Sequence, residues 1–317
     1  MTRVAAVDCG TNSLRLLVAD VPPTGPPTEV LRRMEVVRLG QGVDATGRLA
    51  PEAIERTRVV LAEYAVQLRG LGAERVRMVA TSASRDAANR ADFEEMVQRT
   101  LGQLPDVVPG EEEAGLSFLG ATGSLAGAAA THGTPVPAPP YLVVDIGGGS
   151  TEFVLGDDAG VRAARSVDIG CVRLTERYLH GDPPSPDEVQ RAESDIRTAL
   201  AEVAADVPVG EAVTLVGLAG SVTTVAALAL RLPAYEPAIL HGARIPVGAV
   251  RSVTAGLLTS TRARRAALPV MHPGRVDVIG AGALVLRVVM DALAIDEVVV
   301  SEHDILDGIA LSLVRQV

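Results

Sequence analysis

Apolar residues fill consecutive positions at Val4-Ala5-Ala6-Val7 and again at Leu142-Val143-Val144. Such runs predict short strands buried on both faces. Each run ends in an Asp and a tight polar turn, and residues 4–20 align without a gap on residues 141–157. A strand, a turn and a second strand therefore occur twice. Between these hairpins the pattern predicts a strand over 35–39, a helix over 51–68, a strand over 76–80 and a helix over 90–101. After the second hairpin it predicts helices over 186–203, 222–231, 247–259 and 281–293, with a strand over 212–217. A last strand over 297–301 and a helix over 307–314 close the chain. Strands alternating with helices give α/β layers, with mixed or parallel sheets covered on both sides.

The 317 residues suffice for two domains, each with its own core. Residues 123–140 are dense in Gly, Ala, Thr and Pro and read as a connector without a strand or helix of its own. The expected domains are 1–122 and 123–317, with the final helix packing back on the first. No signal sequence or membrane span is expected, which places the chain in the cytoplasm. Cys9 and Cys171 are too few for a disulfide framework and lack metal-ligand spacing. A net charge of -10, with no Trp, three Phe and four Tyr, argues against non-specific nucleic-acid binding. All 29 basic residues are Arg, so a phosphate must be met by guanidinium forks or backbone N–H groups.

The turns Gly10-Thr11-Asn12-Ser13 and Gly147-Gly148-Gly149-Ser150-Thr151 offer such groups, with hydroxyls beside them. A hairpin alone needs Gly, but two such turns, each after an Asp ending an apolar strand, favour two phosphate loops facing each other across a cleft. Asp8 and Asp145 sit where a strand opens into its turn, which costs desolvation unless a cation, water or N–H is near. Asp145 with Glu152 makes an all-oxygen site suited to Mg2+, and turn capping by Asp fits the same pattern. Gly217-Leu218-Ala219-Gly220-Ser221-Val222-Thr223-Thr224 lies between a strand and a helix, where either an anion site or a close-packed turn fits. Glu111, Glu112 and Glu113 suit a helix start, and a carboxylate there could also activate water. Thr81-Ser82-Ala83-Ser84-Arg85-Asp86 brings hydroxyls and an Arg, and Arg15 is a second candidate phosphate fork. Arg262, Arg264, Arg265, Arg275 and His272 form a local basic patch, either a channel wall for a long anion or a solvated helix face.

Together these motifs resemble the exopolyphosphatase and guanosine pentaphosphate phosphohydrolase family. His272-Pro273-Gly274-Arg275-Val276-Asp277 resembles a late motif of that family, and Asp304-Ile305-Leu306-Asp307-Gly308 its closing motif. The resemblance covers nearly the whole chain and implies two actin-like (ribonuclease H-like) domains with an interdomain cleft, as in sugar kinases and chaperone-type ATPases. It implies the short, two-domain branch. By resemblance Glu113 is the catalytic residue that positions or activates water. Asp8, Asp145 and Glu152 neighbour a magnesium ion. Gly10, Thr11, Asn12, Ser13, Arg15, Ser82, Arg85, Gly147, Gly148, Gly149, Ser150, Thr151, Gly220 and Ser221 handle phosphate. The implied substrate is inorganic polyphosphate, guanosine pentaphosphate (pppGpp) or both, with no nucleic acid or membrane partner and a homodimer left open. A departure is Leu306, where many members carry Arg. A superfamily kinase or ATPase, and a weakly active phosphate-binding regulator, are the alternatives.

Overall fold

The computed structural model of the chain describes residues 1–23, 25 and 27–314. They divide into two units, Met1–Gly123 with Asp304–Val317, and Ser124–His303. In the first, β1 (Thr2–Cys9), β2 (Ser13–Val21) and β3 (Thr28–Val36) form an antiparallel meander. On its other side β1 runs parallel to β4 (Arg75–Ala80), and β4 runs parallel to β5 (Asp106–Val107). The sheet order is therefore β3-β2-β1-β4-β5.

The unbroken apolar run in β1 feeds both faces, because side chains alternate across a strand. Ala5, Val7 and Cys9 join a core with Leu61, Tyr64 and Phe93, supplied by helices Pro51–Leu71 and Arg90–Leu101. Val4 and Ala6 join another with Leu116, Leu306 and Ile309, from helices Gly110–Thr122 and Ile305–Ser312. The strand expected over 35–39 is found as Thr28–Val36. As an edge strand rich in Glu and Arg it lacks the apolar signature, which is how edges avoid pairing with other chains.

In the second unit β6 (Tyr141–Ile146), β7 (Thr151–Asp157) and β8 (Gly160–Val167) repeat the antiparallel meander. β6 pairs parallel with β9 (Thr214–Leu218) and β9 with β11 (Glu297–Val300), while β10 (Arg244–Pro246) adds an antiparallel edge. The order β10-β11-β9-β6-β7-β8 is the first unit's order with one strand appended. Both units are thus α/β and share the meander and its parallel extension. Helices Pro186–Asp206, Ala219–Ala229 and Ile279–Ala292 bury Ile196, Val222, Leu284 and Val288 in its core.

The segment 123–140 departs from expectation, because Leu125–His132 is a helix. Its Ala-rich run combines strong helix propensity with a Gly133 C-cap in the left-handed region at φ 63°. Composition alone marks these residues as a linker. No described helix is long and apolar enough to cross a membrane.

Helices Gly110–Thr122 and Ile305–Ser312 approach to backbone contact. A methyl added at Gly308 would sit 1.9 Å from the Leu116 carbonyl oxygen, and one at Gly120 1.9 Å from that of Asp304. Neither carbonyl can yield as a flexible side chain does. Gly308→Ala is therefore expected to lower stability by roughly 3 kcal/mol. Urea unfolding of the variant tests this, and a midpoint equal to the parent's would show that the helices can separate at no cost.

Candidate functional site

The two polar turns have the same closure. Gly10 N–H donates to the Ser13 carbonyl at 3.0 Å, and Gly147 N–H to the Ser150 carbonyl at 3.1 Å. What holds the remaining carbonyls differs. In the first turn the Asn12 carbonyl accepts from Val37 N at 3.0 Å and Arg38 N at 2.8 Å, and the Thr11 carbonyl accepts from Gly40 N at 2.9 Å. Arg38 adopts φ 50°, a left-handed conformation costing a non-glycine residue about 1 kcal/mol. In the second turn the carbonyls meet the start of helix Cys171–Tyr178. Gly147 O accepts from Cys171 N at 2.9 Å, Gly148 O from Val172 N at 2.8 Å, and Gly149 O from Gly170 N at 3.2 Å. The helix thereby satisfies N–H groups that any helix start leaves over.

That clasp has a consequence for the other edge of each peptide. In a trans peptide the N–H points opposite to the C=O. Three successive carbonyls turned toward the helix therefore turn the N–H groups of Gly148, Gly149 and Ser150 away from it, toward one side. None of those three amides makes a backbone bond outside the strands and helices among the described residues. Consecutive N–H groups converging in this way form a nest for an anion. Gly170 makes the close approach feasible, since a methyl there would lie 2.2 Å from the Gly148 carbonyl oxygen.

Around the first turn, Thr11 Oγ1 and Ser82 Oγ share a hydrogen bond of 2.8 Å, both residues being buried. Ser82 opens the short helix Ser82–Asp86, which also carries Arg85. Arg85 Nη1 donates to Glu113 Oε2 at 3.0 Å and to the Val108 carbonyl at 3.1 Å. Glu113 stands in the first turn of helix Gly110–Thr122 and is 7% exposed, whereas its neighbours Glu111 and Glu112 face solvent. Burial thus singles out one carboxylate of three, and Arg85 fixes its orientation.

Arg15, expected as a phosphate fork, is placed between two carboxylates instead. Its Nε and Nη2 donate to Asp8 Oδ2 at 2.8 and 2.7 Å, and its Nη1 pairs with Asp304. Burial pushes the Asp8 carboxyl up, against the pull of the Arg15 guanidinium. Asp304 caps the last helix, accepting from Leu306 N at 3.0 Å, and its own N–H donates to Asp307 at 3.1 Å. Arg32 on β3 grips Asp307 with two donors, at 2.6 and 3.3 Å. Residue order does not point to the Arg15–Asp304 and Arg32–Asp307 pairs, nor to the role of the segment 37–40, because these contacts span separations that no local pattern reveals.

In the second unit Asp145 and Glu152 are directly paired across β6 and β7, and both are buried. Ser166 Oγ donates to Glu152 Oε1 at 2.7 Å. Thr151 is fully buried, and its hydroxyl donates to the Ile169 carbonyl at 2.9 Å, tying the turn to the segment after β8. Gly220 lies under Arg275, whose Nη1 donates to the Gly220 carbonyl at 3.3 Å and to Thr224 Oγ1 at 3.2 Å. Ser221 is buried against Gly282. The basic patch is not one surface. Arg265 is buried and bonded to the Val276 and Ser260 carbonyls, at 3.0 and 2.7 Å, while Arg262 pairs with Asp277 at 2.6 Å. Arg265 thus holds local structure together, while Arg262 and Arg264 face solvent.

Comparison with known proteins covers the chain throughout. The model of the Ppx/GppA phosphatase family matches residues 17–317. Exopolyphosphatase 2 of Mycobacterium tuberculosis is 53% identical over 325 aligned residues, with 99% of each chain covered. A solved exopolyphosphatase-like protein, 42% identical, gives a TM-score of 0.93 with 99% of both chains covered. The Aquifex aeolicus member of the Ppx/GppA family gives 0.80 at 32% identity, covering 99% of this chain and 97% of that one.

Replacing Arg15 by Met would leave two buried carboxylates without their shared counter-charge, a loss of about 3 kcal/mol near neutral pH. Asp8 in the folded variant would then bind a proton more tightly than in the unfolded chain. Acid therefore favours the folded state, and the deficit should narrow as pH falls from 7 toward about 5. Unfolding curves at both values check the sign, and a deficit that widens in acid contradicts it.

Proposed function

The chain belongs to the Ppx/GppA phosphatase family, and on that premise we propose that it removes the terminal phosphate of inorganic polyphosphate, of guanosine pentaphosphate, or of both. The observation that carries this reading furthest is Glu113, a buried carboxylate held by the Arg85 guanidinium at 3.0 Å. A fixed carboxylate can orient a water and accept its proton as the oxygen attacks phosphorus. The bond from phosphorus to the bridging oxygen then breaks, and the shortened chain departs. The amides of Gly148, Gly149 and Ser150 bind phosphate oxygens by charge-assisted hydrogen bonds. Thr11 and Ser82 add paired hydroxyls in the first unit.

Asp145 and Glu152 are the residues that would hold a divalent cation. They are two adjacent buried carboxylates of an all-oxygen set, and no described group of three or more His, Cys, Asp or Glu is gathered for a metal. Two carboxylates suit magnesium, which keeps several waters and takes its other ligands from phosphate. When bound, the ion supplies charge neutralisation for adjacent phosphates. Asp8 is left out of this set, because Arg15 already provides its counter-charge.

Polyphosphate is the favoured substrate. Phe93, Phe118, Phe153, Tyr64 and Tyr141 are all buried, and the Tyr235 hydroxyl is taken by Thr223 and Glu302. Few aromatic faces are left to stack a guanine. The Mycobacterium tuberculosis relative also bears the name exopolyphosphatase.

Phosphate release from polyphosphate and from guanosine pentaphosphate, with and without a chelator, tests the reading. Release from polyphosphate is expected, abolished by the chelator, and Glu113→Gln should lower turnover by roughly a hundredfold while leaving the fold intact. A parent inactive on both substrates, or a Glu113→Gln variant as fast as the parent, would overturn it.

A further inference from the structure

The three-glycine turn faces a physical difficulty. Glycine peptides rotate freely, because no Cβ restricts them. A nest of the Gly148, Gly149 and Ser150 amides is therefore stiff only if something outside the turn holds the carbonyls of Gly147, Gly148 and Gly149. Gly147 and Gly148 are held by Cys171 N and Val172 N at 2.9 and 2.8 Å. From the backbone, Gly149 receives the longer bond of Gly170 N, at 3.2 Å. The peptide joining Gly149 to Ser150 is thus the weakest point, and its rotation would swing the Ser150 N–H out of the nest.

Arg173 meets this weakness from the first turn of the same helix. Its backbone N–H donates to the Gly148 carbonyl at 3.2 Å, and its Nε donates to the Gly149 carbonyl at 2.8 Å. One residue therefore reaches two successive carbonyls from the side opposite the amides. Its side chain is 12% exposed, while Asp168, an ionic neighbour at 3.6 Å, is largely exposed. Solvent weakens that ion pair, whereas the bond to the Gly149 carbonyl is short and sheltered.

We propose that Arg173 is a positioning residue of the phosphate loop, locking the peptide between Gly149 and Ser150 so that three amides stay aligned for one phosphate group. This rests on the reading of that loop as a phosphate cradle. It makes Arg173 act through the loop and not as a phosphate ligand.

The test uses the full chain with tripolyphosphate as probe, so that binding is read separately from turnover. Binding is measured by calorimetry for the parent, Arg173→Ala and Arg173→Lys, and amide hydrogen exchange is followed over residues 147–151. The Ala variant should bind about tenfold more weakly, the scale of one hydrogen bond to a charged group. Its loop amides should exchange faster, and the Lys variant, which keeps a donor and the charge, should recover part of both. In phosphate release the Ala variant should raise KM while changing kcat less than about threefold. A residue that only stabilises the helix would lower Tm and leave loop exchange and KM unchanged. Binding within twofold of the parent, or unchanged exchange at residues 147–151, overturns the proposal. Should the Ala variant fail to fold, Arg173→Gln serves the same comparison. A parent that binds tripolyphosphate but releases no phosphate would sink the hydrolase reading and leave this one standing. A parent that does not bind it would sink this one.

Discussion

A peptide unit cannot turn its carbonyl one way without turning its N–H the other, and the candidate phosphate chemistry depends on that constraint. Both hairpin turns present amides because their carbonyls are held from behind. In the first unit the segment after β3 does the holding, with Arg38 in a left-handed conformation so that two consecutive N–H groups meet the Asn12 carbonyl. In the second, the start of helix Cys171–Tyr178 does it, and Gly170 permits the approach. The repeat thus keeps one turn and builds two different supports for it. In a chain without lysine, backbone amides and guanidiniums are the donors available to a phosphate.

The charged groups of the first unit follow a second rule, that buried carboxylates need a fixed counter-charge. Arg15 serves Asp8 and Asp304 together, and Arg32 serves Asp307. The last helix is held to the sheet through these pairs as well as through Ile305, Leu306 and Ile309. Leu306 is 1% exposed and lies in that apolar cluster with Val4 and Leu116. At this position an arginine would have to be buried against the sheet, and Asp307 receives its guanidinium from β3 instead.

Much of this was legible in residue order. The gapless match between residues 4–20 and 141–157 announced two hairpins, and the structure gives them the same turn closure, Gly10 to Ser13 and Gly147 to Ser150. Helices with strong apolar periodicity, such as Pro51–Leu71 and Pro186–Asp206, stand within a few residues of their expected bounds. What escaped was of two kinds. Edge strands and short helices lack a distinctive pattern: β3 is charged along its length, and Leu125–His132 is hidden by the Gly and Pro around it. Contacts distant in sequence are also invisible, such as those of Arg15 with Asp304 and of Arg85 with Glu113. Basic side chains announce charge, but not which carboxylate stands beside them. Gly170 and Arg173 escape notice for the same reason, since nothing local says that residues twenty positions after a turn close over its back.

In the proposed function the backbone amides of the second turn, and not its side chains, are the groups that would meet phosphate. The most direct measurement is an amide NMR titration of the isotopically labelled chain with tripolyphosphate. Saturable downfield shifts of the Gly148, Gly149 and Ser150 N–H resonances, sharing one binding constant, are the predicted result. Saturable shifts elsewhere in the chain, with those three resonances unmoved, would contradict it.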